Sequence, residues 1–467
     1  GNTTQGDHSI AIGRAAGHSG QKSQSISIGR NAGKTDQGIV AIAIGLNSGE
    51  FNQGSYSVAI GLDCGETGQK ESSVAIGYQA GQTSQKESSV AVGYQAGKAN
   101  QGDMSIAIGR TAGKTNQGGH SIAIGQIAGE TDQGEDSVAI GRLAGYSGQN
   151  SQSIAIGYYS GQTSQGGYSV ATGSNSGQTS QGNYSVAAGY YSGQTSQGNY
   201  SVAAGYYSGQ TSQGVYSVAV GSNSGTTSQG VYSVAVGSKS GTTKQGQYSV
   251  AVGRFAGATN QGNYSVSVGS NSGTSNQGDY SVAVGRSAGN MSQDIYSVAV
   301  GFESGTSNQG NYSVAVGYQA GRTNQQKGGI AIGDKSGISE QGIHAIGIGT
   351  IAGSDSQKEY AVAIGFKAGT ESQSMYSVAL GFGAGEKNQG GYAVGIGFGA
   401  GRTNQHSNSV VINGTSQVLD SCGINQCYIN PISSIPSGAG ATTPPNIPSG
   451  YHMLVYDPLT KQLNYIL

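Results

Sequence analysis

Large apolar and small residues alternate over three positions of the chain, and the pattern returns every sixteen residues. Ile10, Ala11 and Ile12 show it first. The middle position forms a small column, from Ala11 to Gly395, which holds only Ala, Ser or Gly. The two flanking positions, which we call the branched columns, hold Ile or Val in nearly every repeat. Alternation with a period of two predicts a short β-strand with two different faces.

Three further columns keep the same spacing without an insertion or deletion. Glycine occupies every sixteenth position from Gly13 to Gly397 and again from Gly17 to Gly401, and glutamine does so from Gln5 to Gln405. A globular domain tolerates insertions in its loops, whereas stacked repeats pass every defect to their neighbours. The sequence therefore predicts an all-β fold, a parallel β-solenoid or β-roll built from sixteen-residue repeats, here called rungs.

The restriction of the small column to tiny side chains indicates that something approaches it closely. We expect the branched residues to lie inside the rung and the small residues to pack against the same column of partner chains, as a homotrimer. The alanines predicted at this trimer axis include Ala11, Ala59, Ala107, Ala219 and Ala283. The column between the two glycines, called the variable column, ranges from Arg14 to Phe398 and is expected to face water.

Two regions follow from the repeat. Residues 1–405 are predicted to form the solenoid shaft, and residues 406–467 a small β-rich C-terminal cap. All six prolines lie at or after Pro431, so no rung of the shaft loses a backbone donor. Val411 stands where a small residue was due, which predicts that the close-packed seam opens there. Met453 to Tyr456 and Gln462 to Leu467 read as a terminal hairpin that covers the end of the array.

Composition and charge exclude several classes of protein. The 85 glycines and 10% charged residues would suggest a low-complexity chain, but the strict register favours a folded one. With 22 basic and 23 acidic residues the formal net charge is −1, so no nucleic-acid partner is expected. No apolar run has the length of a membrane-spanning helix, so no membrane insertion is expected.

The strand Ser-(Val/Ile)-Ala-(Ile/Val)-Gly, followed by a turn with a small residue and glycine, resembles the head repeats of YadA-like trimeric autotransporter adhesins. The resemblance implies trimers of left-handed parallel β-rolls. The repeats of those heads are usually shorter, and their heptad stalk and membrane barrel have no counterpart in this sequence. The ending, with Asn-Ser-Val-Val-Ile-Asn and later Leu-Val-Tyr-Asp-Pro-Leu-Thr-Lys, is similar to fibre proteins of large DNA viruses and phages. In such proteins it often precedes a self-cleaving trimerisation chaperone.

Candidate chemistry is sparse, and no catalytic, cofactor-binding or metal site is predicted. Cys422 and Cys427 allow a disulfide within or between chains, and a reduced pair is an equal alternative. Cys64 falls in a column of small residues and is interpreted as a packing residue. Four Asn-Tyr-Ser triplets are possible glycosylation sites or products of composition. They begin at Asn183, Asn199, Asn263 and Asn311.

The sequence thus predicts a structural fibre or adhesin and no enzyme. We expect an extracellular, rod-like trimeric appendage on a virion or cell surface that mediates attachment to a host receptor or surface glycan. The chain itself is the expected partner. Whether the rods also join end to end into filaments is an alternative that the sequence does not decide. Two alternatives are an ice-binding β-solenoid, because Thr recurs in one column of most rungs, and a glycan-cleaving fibre of the tailspike type.

Overall fold

The computed structural model describes residues 3–431, 453–457, 459 and 462–466. Across these residues the regular structure is β-strand, and no helix occurs among them. They fall into two compact units, Gly1–Lys244 and Gln245–Leu467. Within each unit, strands of successive rungs pair in parallel at a spacing of sixteen residues, as Ile106 pairs with Ile122 and Val282 with Val298. The predicted parallel β-solenoid of sixteen-residue rungs is confirmed.

Each rung of the first unit contributes one apolar strand to a continuous sheet. The apolar strands are Ile10–Ile12, Ile26–Ile28, Ile42–Ile44, Val58–Ile60, Val74–Ile76, Val90–Val92, Ile106–Ile108, Ile122–Ile124, Val138–Ile140, Ile154–Ile156, Val170–Thr172, Val186–Ala188, Val202–Ala204, Val218–Val220 and Val234–Val236. Most rungs add a second strand that ends at the glutamine column. These glutamine strands are Thr3–Gln5, Ser19–Gln21, Thr83–Gln85, Ala99–Gln101, Thr115–Gln117, Thr131–Gln133, Ser147–Gln149, Thr163–Gln165, Thr179–Gln181, Thr195–Gln197, Thr211–Gln213 and Thr227–Gln229.

The second unit repeats this plan. Its apolar strands are Val250–Val252, Val266–Val268, Val282–Val284, Val298–Val300, Val314–Val316, Ile330–Ile332, Ile346–Ile348, Val362–Ile364, Val378–Leu380, Val394–Gly397, Val410–Asn413 and Cys427–Asn430. Its glutamine strands are Thr259–Gln261, Ser275–Gln277, Met291–Gln293, Ser307–Gln309 and Thr323–Gln325, while Thr243–Gln245 lies at the boundary. Single parallel bridges continue the glutamine sheet from Ser339 to Thr403.

The small residue of each apolar strand points into the rung, and the branched residues beside it point outward. Ala219 has no exposed surface in the single chain, whereas Val220 is 36% exposed. The prediction that the branched face lies inside is therefore wrong. The reason is the width of the rung: a Cβ atom on Gly225 would lie only 3.0 Å from the Cβ of Ala219, so the interior has room there for Ala or Ser but not for a branched side chain.

A buried glutamine fills the remaining interior of each rung. Gln229 is 3% exposed, and its Nε2 donates to the carbonyl oxygens of Val218 at 2.7 Å and Ser233 at 3.4 Å. Val218 begins the apolar strand of its rung, and Ser233 directly precedes the apolar strand of the next rung. The glutamine column therefore supplies the buried hydrogen bonds that a core of alanine alone would lack.

The second glycine column is required by this glutamine. Oε1 of Gln229 lies 2.7 Å from the place where a Cβ on Gly225 would stand, so the oxygen faces a Cα–H group of the glycine. Gly225 also has a φ of 51°, which favours glycine. The first glycine column is constrained by backbone: a Cβ on Gly221, whose φ is 126°, would lie 2.5 Å from the carbonyl oxygen of Gly237.

Larger side chains close the core near the C-terminal end of the second unit. Val411 and Tyr428 succeed the small column in register, since Gly395 pairs with Val411 and Val411 with Tyr428. Both are buried with Ala400, and Leu419 packs against them. The prediction that the seam opens at Val411 is wrong, because the larger side chain fills the rung from inside.

The expected terminal hairpin is present. Met453–Asp457 and Gln462–Ile466 pair antiparallel, and Gln462 pairs with Tyr428 of the last apolar strand. Oδ1 of Asp457 accepts a hydrogen bond from the backbone N–H of Leu459 at 2.8 Å. The division into a shaft of residues 1–405 and a cap of residues 406–467 remains a prediction, as does the role of the hairpin in covering the array.

Candidate interaction surfaces

The branched columns form a row of partly exposed apolar side chains along each unit. Ile108 is 39% exposed, Ile156 40% and, in the second unit, Ile332 37%. Their neighbours in the same columns are mostly half-buried. Parallel strands with β-branched residues are usually covered on both faces. Each unit thus presents an apolar face that a single chain leaves in water, which is called the branched face below.

The alanines predicted at a trimer axis do not lie on an outer face. Four of them have no exposed surface in the single chain and pack inside their own rungs, and Ala11, in an early rung, is half-buried. The four are Ala59, Ala107, Ala219 and Ala283. An alanine already covered by its own chain offers no contact to another chain, so the structure corrects this assignment of the small column.

The column that begins at His8 forms a second outward row, called the tyrosine ladder, in which rings of successive rungs stack. In the first unit the ring centroids of Tyr184 and Tyr200 lie 4.9 Å apart with planes 3° from parallel. In the second unit Tyr264 and Tyr280 lie 5.0 Å apart at 2°. His344 stacks on Tyr360 at 5.6 Å, so it takes the place of a tyrosine in this row.

The variable column faces water, as predicted. Tyr206 is 53% exposed, and its ring stacks on Tyr190 at 5.4 Å. Phe366 and Phe382 stack in the same column of the second unit at 5.1 Å. The sequence could not show that these residues also support one another across rungs, because stacking depends on ring orientation.

Side-chain amides also form rows of hydrogen bonds that run from rung to rung, and each row is called an amide file. Nδ2 of Asn100 donates to Oδ1 of Asn116 at 2.9 Å, and Nδ2 of Asn308 donates to Oδ1 of Asn324 at 3.0 Å. Each of these asparagines precedes the buried glutamine of its rung and is exposed. Beside each file runs a surface groove, of about 360 Å³ in the first unit and about 670 Å³ in the second.

Three of the four asparagines of the Asn-Tyr-Ser triplets connect neighbouring rungs. Oδ1 of Asn183 accepts from the backbone N–H of Gly167 at 2.9 Å, and Oδ1 of Asn199 accepts from that of Asn183 at 2.8 Å. Asn263 does the same for Gln247 at 2.9 Å. Asn311 is half-buried, while the other three are exposed. These contacts give the triplets at Asn183, Asn199 and Asn263 a structural role, and glycosylation at all four triplets remains a prediction.

The three cysteines lie in different environments. Cys64 is fully buried, and burial raises the pKa of its thiol to about 11 despite a hydrogen bond to Ser48. Cys422 is exposed and Cys427 partly buried, and both are free thiols. A disulfide between Cys422 and Cys427, within a chain or between chains, remains a prediction, as does the reduced pair.

The part of the chain that the structure describes holds no group of three or more His, Cys, Asp or Glu side chains that could bind a metal ion. No helix long and apolar enough to span a membrane occurs there.

Comparison with protein families identifies the repeat. Segments of this chain match the YadA head domain repeat. The matched residues are 212–240, 245–272, 261–288 and 295–320. They span the columns described above, so the predicted resemblance to YadA-like heads is confirmed for these rungs. Comparisons with curated proteins and with solved structures found no match.

Proposed function

We propose that the chain is an adhesin-like structural fibre, a non-enzymatic trimeric appendage that mediates attachment. The YadA head repeats support the adhesin-like fibre. The observation that carries the trimer is the branched face, since isolated apolar side chains are normal on a surface but a contiguous row marks an interface. A second and a third copy of this chain are its occupants, because YadA-family heads form homotrimers in general.

In this proposal the branched face takes the place of the small column at the trimer axis. Val220 and its equivalents are partly exposed in the single chain, and partner chains would remove their remaining surface from water at about 25 cal/mol per Å². Because the same residue types recur in every rung, each rung would contribute to the free energy of association. The tyrosine ladder and the variable column then stay outside, available to what the fibre attaches to.

The fibre belongs outside the cell, on a cell surface or a virion. YadA-like adhesins are surface-exposed, which supports the location in general. The resemblance of the C-terminal segment to viral and phage fibres supports the virion, and the YadA head repeats support the cell surface. In this proposal the host receptor is a molecule on the host surface that contacts the tyrosine ladder and the variable column.

The native mass tests the assembly. The chain mass is 46.8 kDa, and we expect light scattering of the purified protein to give three times that value at all working concentrations. A monomer would leave the branched face exposed and would refute the trimer. A large polydisperse assembly would indicate end-to-end filaments. Binding of the labelled protein to intact cells tests attachment separately.

Neither alternative function gains support from a particular contact. In several rungs the threonine hydroxyl, which an ice-binding face would present to water, donates to a backbone carbonyl oxygen. Thr179 Oγ1 lies 3.1 Å from the Gln194 oxygen, and Thr211 Oγ1 lies 3.0 Å from the Thr226 oxygen. A thermal-hysteresis assay separates ice binding from the fibre proposal, and a glycan-release assay does so for the tailspike-type enzyme.

A further inference from the structure

The tyrosine ladder brings phenol rings of successive rungs into contact in both units. In the first unit Tyr168 stacks on Tyr184 with 4.8 Å between the ring centroids and planes 5° from parallel. In the second unit the stacked pairs lie 4.9 to 5.2 Å apart and are Tyr248 with Tyr264, Tyr264 with Tyr280, Tyr280 with Tyr296 and Tyr296 with Tyr312. In each of these pairs one phenol faces another.

The backbone fixes the spacing of these rings, while the rings themselves meet water. Tyr264 is 49% exposed and Tyr280 48%, so dissolved reagents reach both side chains. The backbone N–H of Tyr280 donates to the carbonyl oxygen of Asn263 at 2.9 Å, and that of Tyr296 donates to the oxygen of Asp279 at 3.0 Å. Each tyrosine is therefore held against the preceding rung, and a pair separates only when a rung opens.

The repeat array has no other side chains that could join its rungs covalently by oxidation. Residues 1–405 contain one cysteine, Cys64, and it is buried. A disulfide between two rungs is therefore impossible in this part of the chain. The ladder tyrosines, by contrast, occur in both units, in register and in contact.

We propose that the tyrosine ladder is a site of oxidative modification, in which neighbouring tyrosines couple to dityrosine and tie successive rungs together. The oxidant is hydrogen peroxide, used by a peroxidase. Each of two phenols gives up one electron and one proton, and the two phenoxyl radicals form a bond between ring carbons adjacent to their oxygens. The hydrogens on those carbons move to the oxygens, which restores both phenols. The peroxide takes up the two electrons and two protons and becomes two water molecules.

The geometry of the ladder favours coupling within a chain. The rings of Tyr264 and Tyr280 are nearly parallel, so equivalent ring carbons are separated by about as much as the centroids, which lie 5.0 Å apart. A radical on one ring therefore has its partner already in contact, whereas a second chain must first arrive by diffusion. A link between residues sixteen apart restricts the unfolded chain, as a disulfide does. The modification goes beyond attachment, because it concerns how the rungs are held together.

Limited oxidation of the purified full chain with hydrogen peroxide and a peroxidase tests the proposal. We expect dityrosine fluorescence and, on a denaturing gel, a band that keeps the mass of one chain. Trypsin cleaves between Tyr280 and Tyr296 at Arg286, so a link between these tyrosines joins the peptides that end at Arg286 and Arg322. Mass spectrometry detects the joined peptides by the loss of two hydrogens. Links between chains only, or no link at all, overturn the proposal.

A single variant tests the pairing. Tyr280→Phe removes the reacting oxygen and keeps a ring in the stack, so the peptides on the two sides of Arg286 should stay separate. The link of Tyr248 to Tyr264 does not involve this residue and should persist in the variant. A link across Arg286 that survives Tyr280→Phe would overturn the assignment to neighbouring rungs.

An exposed tyrosine without a neighbouring ring in its column supplies the control within the parent chain. Tyr56 is 57% exposed, but Val40 and Ser72 occupy the adjacent positions of its column. We expect Tyr56 to form no link, and linking at Tyr56 as efficient as at Tyr280 would show that exposure alone decides.

Unfolding and melting complete the test. A chain oxidised in urea should lose the preference for ladder neighbours, because the contacts of the ladder are absent there. The oxidised parent should melt at a higher temperature than the untreated parent, and Tyr280→Phe should gain less. The same links with and without urea, or a melting temperature that does not rise on linking, would refute the role of the ladder in tying the rungs.

Discussion

The hydroxyl of Ser267 donates a hydrogen bond to the side-chain oxygen of Gln277 inside the rung. Ser27 donates in the same way to Gln37 at 2.7 Å. In most rungs this position is alanine, and the glutamine oxygen, as in Gln229, has no N–H or O–H donor among the described residues. The two columns thus face each other across the core, and a serine satisfies the oxygen that an alanine leaves to weaker contacts.

We predict that Ala219→Ser stabilises the first unit. The new hydroxyl should donate to Oε1 of Gln229, as Ser267 does to Gln277, with a net gain of about 1 kcal/mol. Thermal melting followed by circular dichroism checks this, and Ala235→Ser in the next rung repeats the test. A lower melting temperature in both variants would contradict the proposed geometry.

Ala219→Leu should destabilise the fold of the chain itself. The side chain has no space inside the rung, since the Cβ of Ala219 already lies 3.0 Å from the Cβ position of Gly225, and overpacking commonly costs about 1 to 3 kcal/mol. Chemical denaturation measures the loss. The control is Tyr206→Leu, which changes an exposed side chain and should lower stability by less than about 1 kcal/mol. Equal losses would mean that the interior accommodates the leucine.

Val220→Glu should leave the rung folded and weaken assembly. Val220 is 36% exposed in the single chain, so the carboxylate can reach water there, whereas a trimer contact would bury it unpaired at a cost of about 2 kcal/mol or more per chain. Light scattering gives the mass and circular dichroism the fold. Ser238→Glu, at an exposed position of the variable column, is the charge-matched control. A trimer that survives Val220→Glu and dissociates with Ser238→Glu would place the axis on the variable column.

The cysteines should react with iodoacetamide in a fixed order: Cys422, then Cys427, then Cys64 only after unfolding. Cys422 is exposed, burial raises the pKa of the Cys427 thiol, and burial raises the pKa of Cys64 from 9.0 to about 11. Thiolate is the reactive form, so a raised pKa slows alkylation. Peptide mass spectrometry after timed labelling measures the order.

The Cys64 pKa also gives a pH dependence. The folded chain holds this proton more tightly than the unfolded chain, so the stabilisation is fully present below pH 9 and is lost between about pH 9 and about pH 11. The Cys64→Ala variant removes this term. Its free energy of unfolding should therefore fall less than that of the parent over the same pH range, and parallel curves would contradict the assignment.

The sequence predicted the sixteen-residue register, the short strands and the terminal hairpin because each follows from spacing and alternation. It did not predict which face of the strand is inside. Alternation of Ile10, Ala11 and Ile12 shows two faces, and the general preference for buried branched residues suggested the wrong one. The width of the rung decides which face lies inside, and that width is set by the second glycine column and the glutamine column.

The glutamine column could have indicated from the sequence alone which residues fill the interior of the rung. A glutamine kept in every rung from Gln5 to Gln405 indicates a buried, hydrogen-bonded side chain, since a glutamine on the surface would vary from rung to rung. Thr172, Ala188 and Ala204 interrupt one of the branched columns in three successive rungs and lie half-buried on the branched face. Their smaller side chains therefore remove contacts outside the rung and leave its core unchanged.

The hydrogen bonds of Gln229 are closed within a single repeat, whereas Nε2 of Gln373 also donates to Oε1 of Gln389 in the next rung at 2.9 Å. Gln229 binds the carbonyl oxygens of Val218 and Ser233, which are fifteen positions apart in one rung. A rung can therefore be copied or lost as a unit with its interior complete. Residues 179–194 and 195–210 are identical at every position, as a recent tandem duplication would leave them. Insertion or loss of one such rung would leave the glutamine-to-backbone hydrogen bonds of the rungs on either side unchanged.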